Sequence, residues 1–317
     1  MPGRLLLTIS FVLIAISSLF VGVIDLSPGD LLSDPEAITL VIQSRGPRLF
    51  ATLITGASLA IAGTIMQMLV RNRFVEPMTA GTGQGAALGI LAVALLAPAA
   101  SIFVKMIIAS TMALMTSIGF LAIINRLPPT EPILVPLVGL TYGGIVGAIV
   151  TFVAYQADLL QYIDVWMNGE FSGVLQGRYE LLWLAAAVAL FGYFAADQFA
   201  IIGMGRTVSI NLGLNYNQVI VMGLIAISVI SALTVITVGM IPFVGLVVPN
   251  IVSRLAGDNL RATLPKIAAM GAGLVLISDI IGRIARYPFE IPVGTIFGII
   301  GTVIFIWLLY RPTRDAR

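Results

Sequence analysis

Three arginines and one aspartate are the residues of this 317-residue chain whose type and spacing suit them best to chemistry. A guanidinium is a fixed fork of donors that takes a carboxylate through two parallel bonds, so Arg45, Arg48 and Arg283 are suited to recognising acids. Asp279 stands four residues before Arg283 and can pair with it on one helix face. The chain has no histidine and no cysteine. That excludes disulfides, thiolate chemistry and imidazole ligation of metal or haem, and it removes the commonest general base. No G-x-x-x-x-G-K-(S/T) occurs, so the chain does not hydrolyse ATP. Recognition and movement are left, rather than catalysis.

The elements carrying these residues are membrane spans. The chain is 59% hydrophobic and only 10% charged, with a mean hydropathy of +1.05, against about 25% charged in a soluble domain. It reads as an all-α polytopic membrane protein, a single permease domain over 1–317. Ten spans are expected: Leu5–Val23, Leu49–Leu69, Ala80–Leu96, Ile102–Ile124, Ile133–Ala154, Leu181–Ala196, Val219–Val238, Val244–Leu255, Leu264–Ile284 and Ile291–Leu309. The first is long and lacks an A-x-A site after it, which makes it a retained span rather than a signal peptide. The eighth is too short for a full crossing. With the N-terminus inside, eleven Lys/Arg fall on inner loops and ends and six outside, placing both termini in the cytoplasm. Arg45, Arg48 and Arg283 then sit at outer span ends, against the positive-inside trend.

Four stretches interrupt the spans. Asp25–Ser44 reads as a short external segment. Asp158–Glu180 is the longest polar interval, with Tyr162, Trp166 and Phe171 among glycines; it is either an interfacial aromatic belt or a short helix at the mouth of a pathway. Asp197–Gln218 is too short and broken to cross, and a connection of this length is unusual without a role. In Gly239–Asn250 two prolines and two glycines forbid a plain helix, so a break at the outer mouth is expected. Within the fifth span Gly139, Gly143 and Gly147 share one face, for close helix packing or for a smooth wall of a translocation path; Gly294 and Gly298 invite the same two readings.

Ordered motifs along the chain resemble the FecCD/cobalamin-type permeases of type II ABC importers for iron-siderophores, haem and cobalamin. R-x-P-R is matched by Arg45, Pro47 and Arg48, and G-A-x-L-A-x-x-G by Gly56, Ala57, Leu59, Ala60 and Gly63. Gln67, Asn72 and Pro77 follow, with Arg73-Phe74-Val75-Glu76 where the family usually has P-L-A-(D/E). Trp166-Met167-Asn168-Gly169 resembles W-M-x-G. Gly239, Ile241, Phe243, Val244, Gly245, Leu246, Pro249 and Arg254 follow G-x-I-x-F-V-G-L-x-x-P-H-x-x-R, with Asn250 in place of histidine, and Glu290-Ile291-Pro292-Val293-Gly294 fits E-(L/I)-P-x-G.

The resemblance implies a type II permease fold and a dimer of identical or paralogous permeases, a heterodimer being expected for a siderophore system. It implies docking of a periplasmic or lipid-anchored substrate-binding protein on Arg45, Arg48 and Arg283. An ATPase, carrying the ATP and Mg, would couple at about 199–215 through Gly203, Gly205, Arg206, Ser209, Leu212 and Gly213. Arg206 replaces a residue that is commonly acidic. The path and gate would use Gly139, Gly143, Gly147, Trp166, Pro242, Phe243, Gly245 and Pro249. No cofactor or metal is expected on this chain. The cargo implied is a ferric siderophore, with haem or cobalamin as alternatives. An ion-coupled secondary transporter is disfavoured by span interiors almost free of charge.

Overall fold

A computed structural model describes residues 2–24, 26–126 and 134–310. The expected basic C-terminal end at Arg311, Arg314 and Arg317, the acid Asp25 and the start of the fifth span at Ile133 lie outside the described residues. The helices are α1 (Pro2–Ser18), α2 (Asp30–Ser33), α3 (Pro35–Leu40), α4 (Gly46–Val70), α5 (Thr82–Leu96), α6 (Ile102–Ile124), α7 (Leu134–Gln156) and α8 (Leu160–Met167). They continue as α9 (Leu181–Phe194), α10 (Ala196–Gly203), α11 (Arg206–Asn211), α12 (Tyr216–Val238), α13 (Val244–Ala256), α14 (Leu260–Ile284) and α15 (Val293–Tyr310). Each expected span coincides with one of the apolar helices. Among the described residues, five helices are long and apolar enough to cross a membrane, six if α9 and α10, bent by 64°, count as one. Among the described residues, α1, α5, α13 and α15 are shorter apolar helices.

Local sequence sets the starts. Ser101, Asn215 and Asn259 accept the amides of Val104, Gln218 and Ala262, capping α6, α12 and α14. The same rule corrects the reading of Asp25–Ser44. Asp34 accepts the Glu36 amide and Pro35 occupies the first turn, so a helix starts there and runs unbroken from Pro35 to Val70. The second span therefore begins fourteen residues before the expected Leu49. Pro47 is absorbed by a π turn at Val41–Arg45. Its missing amide frees the carbonyl of Gln43, which accepts from the Gln176 amide at 2.9 Å instead.

The helix Pro35–Val70 is the hub. Its apolar window is 78% buried and that of α12 72%, against 33% for α6 and 28% for α7. Packing this close needs small residues. A Cβ on Gly56 would collide with the backbone of Gly271 in α14, and one on Gly63 with the backbone of Gly245 in α13. The α4–α13 and α4–α14 contacts are thus main chain against main chain, as membrane helices without a hydrophobic driving force favour.

Candidate functional site

At one end of the bundle the three arginines converge. Arg48 lies between two acids: Nη2 to Asp279 Oδ1 at 2.7 Å and to Glu290 Oε2 at 2.8 Å, Nε to Asp279 Oδ1 at 3.1 Å, and Nη1 to Glu290 Oε1 at 3.0 Å. Arg283 pairs with Asp279 Oδ2 at 2.8 Å, the expected four-residue pair. Its Nη1 donates to the carbonyls of Ser18 and Val21, at 2.9 and 2.7 Å. Arg45 donates to Val21 O and, at 3.0 Å, to Ile24 O. Carbonyls at and beyond the end of α1, which have no partner within that helix, are thereby satisfied. Asp279 is 1% exposed and the side chain of Arg283 2%. The fork chemistry is therefore used inside the chain, and it joins α1, α4, α14 and the loop before α15.

Two breaks meet in the middle of the molecule. The 71–81 connection starts at the far end, where Arg73 Nη2 pairs with Asp258 at 2.9 Å. It finishes with Gly81 against Tyr142 and Gly143 in α7. Asp258, held by the Ser253 hydroxyl and by Arg73, has its carboxyl below the usual range. Its lowered value adds to stability above that range, and the contribution fades as the pH falls through it.

The other break is Gly239–Phe243. Met240 N donates to Trp166 O, and the Gly294 and Glu170 amides close the same junction onto Gly169 O and Val238 O. The break lies between α12 and α13. Its Phe243 end is followed by a helix of only 13 residues, about 20 Å of a core of about 30 Å.

Glu76 joins the two breaks. Its carboxyl accepts the Phe243 amide at 2.5 Å, and the Gly245 and Leu246 amides lie near it. Phe243 itself is left-handed, φ 69°, and Pro242-Phe243 offers no Ser, Thr, Asp or Asn to cap α13. The cap comes from Glu76, 167 residues earlier in the chain and 1% exposed.

Pro249 corrects a second expectation, since it lies inside α13 rather than at a break. Its missing amide frees the Gly245 carbonyl, and Gln67 Nε2 donates to that carbonyl at 3.2 Å. Asn250 Nδ2 donates to Arg73 O and Leu246 O, both at 2.7 Å. Gln67→Leu should leave the carbonyl unpaired and cost about 1–3 kcal/mol, read as a lower melting temperature of the purified protein than that of Gln67→Asn.

The remaining expected path residues divide. Gly139, Gly143 and Gly147 do share a face, and Phe120, Thr79–Gly81 and Gln84 lie against it. Trp166 and Gly239 line a cavity of about 560 Å³ with Glu170, Arg178 and Glu180.

At the opposite end, α10 and α11 make a helical turn between α9 and α12. Gly205 (φ 105°) and Gly213 (φ 82°) take left-handed backbone at its corners. Ser209 is buried and donates to Ile201 O and Gly205 O, fixing α11 on α10. Gly203 packs on Met68. Arg206 is exposed near the ring of Tyr216, while Met204, Ile210 and Leu212 present apolar side chains outward at 64%, 53% and 59% exposure.

Residues 8–311, from the first helix to the last, match the FecCD transport family. The chain belongs to that family. It is similar to the petrobactin import system permease protein YclN of Bacillus subtilis (strain 168), at 48% identity over 96% of this chain and 97% of that one. It is also similar to the ferric-anguibactin transport system permease protein FatD of Vibrio anguillarum, at 40% over 86% and 87%. Among solved structures, a metal-chelate type ABC transporter in an inward-facing conformation superposes with a TM-score of 0.81 over 98% of this chain and 99% of that one, at 24% identity.

In this FecCD chain the arginines are brought together as expected, along with two acids the sequence reading had not joined to Arg48. Glu76 and Gln67 were missed as structural partners. Glu76 follows Arg71 and Arg73 in a polar turn and reads there as a solvated acid. The available signal was the uncapped start of α13, which had to be satisfied from elsewhere.

Proposed function

We propose that the chain is the membrane-spanning permease of an ABC importer that carries a ferric siderophore across the cytoplasmic membrane of a bacterium. The observation that carries this reading is the end-to-end likeness to the petrobactin permease. The permease has no ATP chemistry of its own, so a partner ATPase drives it from the α10–α11 turn. A substrate-binding protein delivers cargo at the arginine end, a second permease subunit completes the path, and both termini face the cytoplasm. Arg45, Arg48 and Arg283 organise the docking face from beneath. Arg178 and Arg286 are exposed cations at that end.

The experiment is uptake of radioiron as a ferric catecholate siderophore into proteoliposomes that hold permease, ATPase and ATP, with binding protein outside. Uptake that requires every component supports the reading. ATP turnover without iron uptake moves the cargo to haem, cobalamin or another chelate.

The turn carries its own prediction. Leu212→Asp places a charge on an exposed apolar contact. It should reduce copurification of the ATPase and transport at least about tenfold, the effect of an interface residue worth more than 1 kcal/mol. The melting temperature of the permease alone should stay near that of the parent. Unchanged copurification would remove Leu212 from the contact.

A further inference from the structure

Between α1, α4, α9 and α14 lies a cavity of about 530 Å³. Phe11, Ala57, Leu190, Tyr193, Pro265 and Ala269 are among its walls. It opens to the outside of the bundle past Leu190 and Ala269, both exposed. Alanines form much of the wall, on α4, α9 and α14. The slot is therefore narrow and almost wholly apolar, which suits a methylene chain better than a helix with side chains. On α14 it runs from Leu264 to Ala272, about 12 Å along the axis. One leaflet of hydrocarbon is about 15 Å thick.

The charged residues gather at one end of the slot. Arg261 stands one helical turn before Pro265, half exposed and paired with Asp197, at the start of α10 just past the end of α9 that carries Tyr193. Lys266 follows Pro265, exposed and without a carboxylate partner among the described residues. Two cations against one carboxylate leave this rim positive. The groove walls are apolar from there inward. A ligand with an anionic head and a hydrocarbon tail matches both halves, and the membrane supplies such molecules as phospholipids.

We infer that this groove holds one acyl chain of an anionic phospholipid, with its phosphate against Lys266 and Arg261. The site lies on the outside of the bundle, apart from the two central breaks and the arginine cluster.

The test is native mass spectrometry of the whole chain purified from vesicles of equimolar phosphatidylglycerol and phosphatidylcholine with identical tails. The parent should retain phosphatidylglycerol in preference by about fivefold, the scale of one basic side chain at a charged interface. Lys266→Gln, at an exposed position, should bring the ratio close to one while lipid is still retained. Ala269→Phe fills the slot from an exposed position and should lower retention of both lipids several-fold. Melting temperatures close to the parent's certify that both variants fold. An unchanged preference in Lys266→Gln, or undiminished retention in Ala269→Phe, overturns the inference. Displacement of the signal by inorganic phosphate alone would assign the rim to a free anion. The chain has no cysteine, so a disulfide between two copies of Ala269→Cys, with no lipid retained, would assign the groove to a second copy.

Discussion

Asp279→Ala should be the most damaging single substitution in this protein. The carboxylate is 1% exposed and takes bonds from both Arg48 and Arg283. Removing it leaves the three guanidiniums with Glu290 as the one acid bonded to them among the described residues. Deleting one member of a buried ion pair costs about 3–5 kcal/mol, because the remaining charge is desolvated without compensation. The expected result is a melting temperature in detergent lower by on the order of 10 °C, with poor membrane yield. Asp279→Asn keeps an acceptor oxygen and should fall between. A melting curve for the alanine variant that overlays the parent's would show that the cluster is not holding the helices. The same geometry changes what a charge reversal at Arg48 reports. Arg48→Glu would set three carboxylates together, so lost uptake would follow from lost structure. Charge reversal at the exposed Arg178 and Arg286 tests docking without touching the cluster.

Glu76→Ala should have the second largest effect and a different signature. It leaves the Phe243 amide at the start of α13 without its acceptor and removes the carboxyl that lies by the Gly245 and Leu246 amides. Loss of a cap with its buried donors costs about 2–4 kcal/mol. The 71–81 connection would lose its hold on the Gly239–Phe243 break. Transport in the reconstituted system should fall by more than ATP hydrolysis does, since the helix between the two breaks is no longer fixed. Glu76→Gln retains an acceptor oxygen at the same reach and should recover part of the transport. Equal transport by Glu76→Ala and parent would end the proposal that this carboxyl positions α13.

The helices and their approximate ends were legible because long apolar runs have few alternatives in a chain this poor in charge. Glycines and prolines likewise marked the breaks. The start of the second span was not legible, since Asp34-Pro35 is equally good turn chemistry and cap chemistry, and the residues after it decide which role it takes. The acid partners of Arg48 were hidden because Asp279 and Glu290 are more than 230 residues away, and spacing in the chain says nothing about contacts at that range. Pro249 misled for a physical reason. A proline inside a helix is tolerated when another side chain takes over the freed carbonyl, and the donor here, Gln67, lies on a different helix. The arginines read as outward-facing because the expected span began at Leu49; with the helix starting at Pro35, Arg45 and Arg48 lie inside it, and their direction is set by the acids and carbonyls they find.

The main-chain contacts at Gly56–Gly271 and Gly63–Gly245 have a mechanical consequence. Two helices touching backbone to backbone have no layer of side chains to shear, so neither can slide or roll without collision. α4, α13 and α14 therefore act as a stator. Any alternation between the two faces of the membrane has to be carried by helices outside this trio, and α6 and α7, the least buried of the long apolar helices among the described residues, lie outside it.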